Sequence, residues 1–138
     1  MKTKKKTVLD AKCDYPSACN AMETLLLDRS LVESPDSGSS SSQFFVRLIN
    51  ELKRNGVQIY SGPELSKMLT FGPPAAKSLK TEYGSLACTI EVVNGLDDAI
   101  DYINRNGSGH TDAIITENGK FTSLRKISYL NIFFPMKI

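Results

Sequence analysis

Three observations predict an α/β fold in which helices flank a largely parallel sheet. Short apolar runs of β character (57–60, 86–93, 113–116) alternate with segments of helical period (44–52, 95–106), and a crossover helix between strands returns the chain in the same direction. At 138 residues the chain has the size of one domain with one core. Hydrophobic residues at 41% and charged residues at 23% match an ordinary globular domain, which sets aside disordered and fibrous classes.

Taken in order, Thr7 to Leu9 reads as a short strand. Pro16-Ser17 reads as a helix start, since proline suits the first turn and a serine hydroxyl accepts from exposed N–H groups. Ala18, Met22, Leu25 and Leu26 then recur at helical spacing. Six of the ten residues from Glu33 to Ser42 are serine, with Pro35 and Gly38 among them. A segment so polar cannot offset its ordering entropy, so 33–42 is expected to be a surface loop. Phe44, Phe45, Leu48, Ile49 and Leu52 mark an amphipathic helix that Asn55-Gly56 stops.

Val57 to Tyr60 alternates like a strand, Pro63 to Leu69 suits a short helix, and Phe71-Gly72-Pro73-Pro74 breaks what precedes it. Leu86 to Val93 is the clearest strand. Gly95 to Asn106 is the clearest helix, with Leu96, Ala99, Ile100 and Ile103 on one face and Gly107 as its stop. Ala113 to Thr116 is a further short strand. Ile132, Phe133 and Phe134 suit a buried strand, yet nothing after them would cover it, so 119–138 reads as foreign to the fold. The chain thus divides into a basic tail (1–6), a body (7–118) and an atypical C-terminal segment (119–138).

Formal net charge is +2, and Lys2, Lys4, Lys5 and Lys6 supply four of the positive charges, so the body is net negative. A nucleic-acid surface needs a broad basic face with interleaved aromatics, and one short terminal run is not that. No nucleic-acid partner is expected. Three cysteines without CxxC or Cys/His spacing exclude a disulfide framework and a structural zinc site, so no metal is expected. No stretch approaches bilayer length, and the start carries neither a secretory h-region nor an Arg- and Ser-rich import signal. No membrane partner is expected.

The residues alone point to one site. A helix start at Pro16-Ser17 would put Cys19 in the first turn, where unpaired N–H groups and the helix dipole favour the reactive thiolate. The same N–H groups could receive a developing oxyanion. Cys19 is therefore a candidate acyl-accepting nucleophile; the alternative is a small apolar filler. Asn20 either orients the site or offers its backbone N–H to that oxyanion, or else only satisfies helix-start hydrogen bonds. Cys13 and Cys88 read as packed thiols. His110, the only histidine, would suggest a thiol hydrolase if paired with Cys19, but sequence establishes neither an orienting partner nor a shared cleft.

The run KCDYPSACNAMETLL (12–26) resembles the catalytic-cysteine segment of gamma-glutamyl phosphate reductase, in wording closest to the reductase part of delta-1-pyrroline-5-carboxylate synthase. KSLKTEYGSLACTIEVVNGLDDAIDYIN (77–104) and GSGHTDAIITEN (107–118) are similar in the same order, so most of 7–118 is covered. The resemblance implies a partial aldehyde dehydrogenase-like catalytic domain whose thiol nucleophile falls on Cys19. It implies NADP-dependent glutamate-5-semialdehyde dehydrogenase activity: reduction of L-glutamyl 5-phosphate to glutamate 5-semialdehyde with NADPH, a step from glutamate to proline. In that reaction the thiolate displaces phosphate to give a thioester, and hydride from the nicotinamide reduces it to a thiohemiacetal that collapses to the aldehyde. Glu82, in TEYG, matches the glutamate that holds the nicotinamide ribose in aldehyde dehydrogenases, a role suited to a carboxylate facing vicinal hydroxyls. The alternative for Glu82 is a solvated loop carboxylate. His110 falls within GSGHTDA, toward the substrate end of the site or as a loop contact.

The chain also departs from that pattern. The family's dinucleotide-binding domain lies mostly before the cysteine segment, and no GxGxxG run stands in for it here. The expected Asn-Ala-Ser-Thr-Arg-Phe segment after residue 118 is missing, and the serine-rich 33–42 replaces a short connection. The chain therefore reads as a catalytic-domain fragment. A second reading is a catalytically inactive piece that associates with full-length subunits through uncovered apolar faces. Homo-oligomerisation is left open, and the resemblance points to a mitochondrial or cytoplasmic compartment.

Overall fold

A computed structural model describes residues 2–33, 40–115 and 132–134. Its strands are β1 (Thr24–Asp28), β2 (Gln58–Ser61), β3 (Ala87–Val93), β4 (Ala113–Ile114) and β5 (Ile132–Phe134). They form one sheet in the order β2-β3-β1-β5-β4, and every pairing is parallel. Helices α1 (Lys2–Cys13), α2 (Ser40–Arg54), α3 (Pro63–Met68) and α4 (Leu96–Asn106) connect and cover it. The α/β class and the largely parallel sheet are as the sequence predicts.

The central strand shows why the sheet is sandwiched. Leu25 and Leu27 enter a core built with Val8 of α1, Phe44, Phe45, Leu48 and Leu52 of α2, and Ile90 and Val92 of β3. Leu26 points the other way, into a smaller cluster with Val93, Ala99 and Tyr102. A strand buried on both faces reads as a continuous apolar run, not as an alternation. β3 is the same case, with all seven residues buried.

That property corrects the reading of 16–26 as a helix. Pro16 to Asn20 forms turns, and the three consecutive leucines lie in β1, because a short apolar run cannot be told from a buried helix by periodicity alone. The strand expected at Thr7 to Leu9 is likewise helix, part of α1. Lys2 to Lys6 open that helix, and Lys6 Nζ pairs with Asp10 one turn on at 2.6 Å. Of the serine-rich loop, 34–39 lie outside the described residues, whereas the backbone from Ser40 to Ser42 already belongs to α2.

The remaining elements fall where expected, within a residue or two. α2 ends before Gly56, whose φ of 77° is a left-handed conformation that glycine adopts without strain. The Gly107 N–H closes α4 on the Ile103 carbonyl at 2.7 Å. On α4 the buried positions are Ala99 and Tyr102, with Leu96 and Ile103 packed beside them; Tyr102 takes the place expected for Ile100. β5 is a strand as expected, but it sits inside the sheet: Ile132 and Phe133 pair with Leu25 and Leu26 on one side and with Ala113 and Ile114 on the other. The boundary drawn after residue 118 falls outside the described residues.

Candidate active site

Parallel strands place all their amino ends on one edge, and three segments leading into strands meet there. Cys19 to Glu23 runs into β1, Leu79 to Glu82 belongs to the loop leading to β3, and Asn106 to Thr111 carries α4 toward β4. Together they line a cleft of about 40 Å³. Cys19, Asn20, Glu82 and His110 all line it, so the structure brings together every side chain that the sequence nominated.

Cys19 is exposed, as is Asn20, and the turn that holds them is tied at both ends. The Ala18 N–H donates to the Tyr15 carbonyl at 3.1 Å, and the Ala21 N–H to that of Ala18 at 3.0 Å. Met22 N–H then binds the Ala11 carbonyl of α1 at 2.8 Å. This corrects the expected placement: Cys19 stands at no helix start, and no helix dipole acts on its thiol. The apolar-filler reading also fails, because the side chain faces solvent. Among the described residues, the backbone N–H groups of Cys19 and Asn20 donate to no acceptor. Two N–H groups without an acceptor thus stand beside the thiol, in a turn where a helix was expected.

The other two thiols differ. Cys88 is buried in the core, and desolvation pushes its thiol up to about 12. Cys13 is half-buried and is raised by the same cause. Both match their reading as packed residues. His110 is exposed, with Nδ1 2.5 Å from Thr111 Oγ1, and among the described residues no hydrogen bond joins it to Cys19. The shared cleft that a thiol hydrolase would need exists, but the thiol–imidazole hydrogen bond does not.

Glu23 was not nominated by the sequence, and it also lines the cleft. Its carboxylate accepts from Lys12 Nζ at 3.3 Å, from the Tyr83 N–H at 3.0 Å and from the Gly84 N–H at 3.2 Å. Lys12 is fully buried, which a lysine tolerates only when its charge is matched. The one available signal was position: a carboxylate between the cysteine turn and an apolar strand.

The parallel α/β fold is that of a partial aldehyde dehydrogenase-like catalytic domain. Within that class the chain resembles the gamma-glutamyl phosphate reductases, both free-standing and as part of delta-1-pyrroline-5-carboxylate synthase. It is 45% identical over 131 residues to "Delta-1-pyrroline-5-carboxylate synthase 1" of Oryza sativa subsp. japonica, a match covering 94% of this chain and 17% of that protein. It is 38% identical over 110 residues to the gamma-glutamyl phosphate reductase of Acaryochloris marina, covering 80% of this chain and 23% of that one. The crystal structure of gamma-glutamyl phosphate reductase from Thermotoga maritima superposes with a TM-score of 0.79 at 26% identity, over 96% of this chain and 31% of that chain. The chain thus spans less than a third of the length of any of these three. The 131-residue match runs into the 119–138 segment that the sequence set apart. No protein-family model matches the chain. No helix among the described residues is long and apolar enough to cross a membrane, and none of their His, Cys, Asp and Glu side chains form a group that could hold a metal ion.

Proposed function

We propose that the chain is the nucleophile-bearing part of a reductase that converts L-glutamyl 5-phosphate to glutamate 5-semialdehyde in proline biosynthesis. The observation that carries this reading is the shared cleft: an exposed cysteine with two unpaired backbone N–H groups faces the same space as Glu82. Cys19 would attack the acyl phosphate, and the N–H groups of Cys19 and Asn20 would receive the charge that develops on the carbonyl oxygen. Phosphate leaves, and the thioester remains on sulfur. NADPH, when bound, supplies hydride to that thioester. Glu82 fits the group through its chemistry, an exposed carboxylate able to accept from the two ribose hydroxyls. His110, free of any bond to the thiol, suits a polar contact to the substrate better than a general base.

The test is a chimera in which this chain replaces the corresponding stretch of the Acaryochloris marina reductase, assayed for NADPH oxidation with glutamyl phosphate formed in situ. Activity that Cys19→Ala lowers by about 10³-fold or more is expected. An equally active Cys19→Ala chimera would remove the nucleophile assignment. In the isolated chain, iodoacetamide should alkylate Cys19 first, Cys13 more slowly and Cys88 last; equal rates would contradict the site.

The noncatalytic, associating reading has one observation in its favour. Phe71 is 95% exposed and Val46 56% exposed, beside the partly buried Ile49 and Leu69. An inactive chimera that still assembles would favour it.

A further inference from the structure

We propose that Glu23 is a positioning residue: its carboxylate clamps the loop carrying Glu82 onto the cysteine turn, fixing the ribose-binding carboxylate relative to the nucleophile. The proposal rests on the functional reading of Cys19 and Glu82 given above. Glu23 lies four residues after Cys19, on the segment that the Met22 to Ala11 bond anchors to α1. Its backbone carbonyl accepts from the Thr89 N–H at 2.9 Å, which seats it beside β3. The side chain then reaches across to residues sixty positions away. One carboxylate oxygen accepts from Gly84 N–H, and the other from Tyr83 N–H and from Lys12.

The far side of the clamp is prepared to receive it. The Tyr83 ring stacks on Tyr60 with centroids 5.2 Å apart and planes within 6°, and its hydroxyl lies 2.7 Å from Thr89 Oγ1. Tyr83 is therefore held at ring, hydroxyl and backbone, and Glu82 is the residue immediately before it. Glu82 itself makes no hydrogen bond or ion pair among the described residues, so the clamp acts on the position of its backbone. Lys12 completes the device. A fully buried ammonium would be costly without an anion, and the Glu23 carboxylate, 3.3 Å away, supplies one.

Amide hydrogen exchange on the 138-residue chain tests the clamp. Glu23→Ala removes the carboxylate oxygens that accept from both N–H groups, and exchange at Tyr83 and Gly84 should rise about tenfold or more, while β3 amides keep their protection. Glu23→Gln retains a single acceptor oxygen and should fall between Glu23→Ala and wild type, a graded rescue that a space-filling role would not produce. A second readout places a cysteine at the loop: in Glu82→Cys, a short bismaleimide should cross-link position 82 to Cys19, and adding Glu23→Ala should lower that yield severalfold. Unchanged exchange in Glu23→Ala, or an unchanged cross-linking yield, would overturn the proposal. So would loss of protection throughout the sheet in Glu23→Gln, which would assign Glu23 to the fold instead. Should Glu23→Ala not fold, Glu23→Gln decides alone by whether Tyr83 or Gly84 exchanges faster. Neither readout needs Cys19 catalysis, so an inactive chimera and an intact clamp are separately observable.

Discussion

The two edges of the sheet are held by the same device put to different uses. Toward the carboxyl edge, Glu91 is buried within β3, two residues before its end, and accepts from the N–H groups of Leu65 at 3.0 Å, Val92 at 2.8 Å and Glu64 at 3.3 Å, pinning the start of α3. Around it Arg29 links Asn94, Glu33 and Glu64 at 2.5, 2.8 and 3.1 Å. At the amino edge, Glu23 also gathers two backbone N–H groups, but beside an open cleft. Open parallel sheets usually bind ligands at the carboxyl ends of their strands. Here the loops at that edge are laced together by charged side chains, and the proposed nucleophile and ribose-binding carboxylate stand at the other. The position of a carboxylate, more than its bonding, decides whether it serves the core or the site.

The sharpest way to break this contrast is Glu91→Ala. Three N–H groups lose a buried charged acceptor, which should cost about 3 kcal/mol in urea unfolding. Alkylation of Cys19 in the folded fraction should stay as in wild type. A milder loss of stability, or a changed Cys19 rate, would mean that the two edges are not separate devices.

Next in size is Gly62→Ala. A Cβ on Gly62 would stand 2.3 Å from a Glu91 carboxylate oxygen and 2.5 Å from its carboxyl carbon, so Glu91 must leave its N–H partners. A loss of about 2 kcal/mol is expected. Combined with Glu91→Ala it should add little, because the obstacle is gone; full additivity in a double-mutant cycle would refute the close approach.

How much of this was legible follows from range. α2, β2, α3, β3 and α4 were readable because each signal is local: a 3.6-residue period, an apolar run, a glycine after the last turn. α1 was not, because among its described side chains the buried ones are Val8 and Lys12, and a lysine enters a core only when a distant carboxylate meets it. β1 was misread because Leu25 to Leu27 are buried on both faces. That Cys19, Asn20, Glu82 and His110 share one cleft agrees with the grouping that the resemblance implies, whereas the geometry of the cleft was not legible. Helix-start activation of Cys19 failed with the helix, and Glu23 stayed hidden because its partners are 11, 60 and 61 positions away.

A smaller effect separates the core from the cleft by pH. The Cys88 thiol is pushed from an ordinary 9.0 to about 12 by burial, so in the fold it stays neutral while the unfolded thiol ionises. Its contribution is complete below about pH 9 and is lost as pH rises toward 12, with a slope of up to about 1.4 kcal/mol per pH unit. Burial raises Tyr83 and Tyr102 in the same sense, which steepens the alkaline limb. Cys88→Ala should lower stability at pH 7 through the space it empties, yet flatten the decline between pH 9 and 11; an unchanged slope would show that Cys88 ionises freely. Cys19→Ala, at the exposed turn, should leave that slope as it is.

The smallest effect is expected at the rim of the carboxyl edge. Arg29 is held above its ordinary range first by its bond to Glu33, and Glu64 below its own first by Lys67 at 2.6 Å. These groups face water, where ion pairs are weakened by solvent and side-chain entropy. Arg29→Lys keeps the charge but loses the fork that reaches three partners at once. Its melting temperature should therefore drop less than that of any variant above, and the difference should shrink in about 0.5 M salt, where charges are screened within a few ångströms. A large, salt-insensitive drop would show that the Asn94 bond, joining the turn after β1 to the end of β3, is the member that holds this edge. The carboxyl edge would then depend on one hydrogen bond to a side-chain amide, and Glu91 would only complete it.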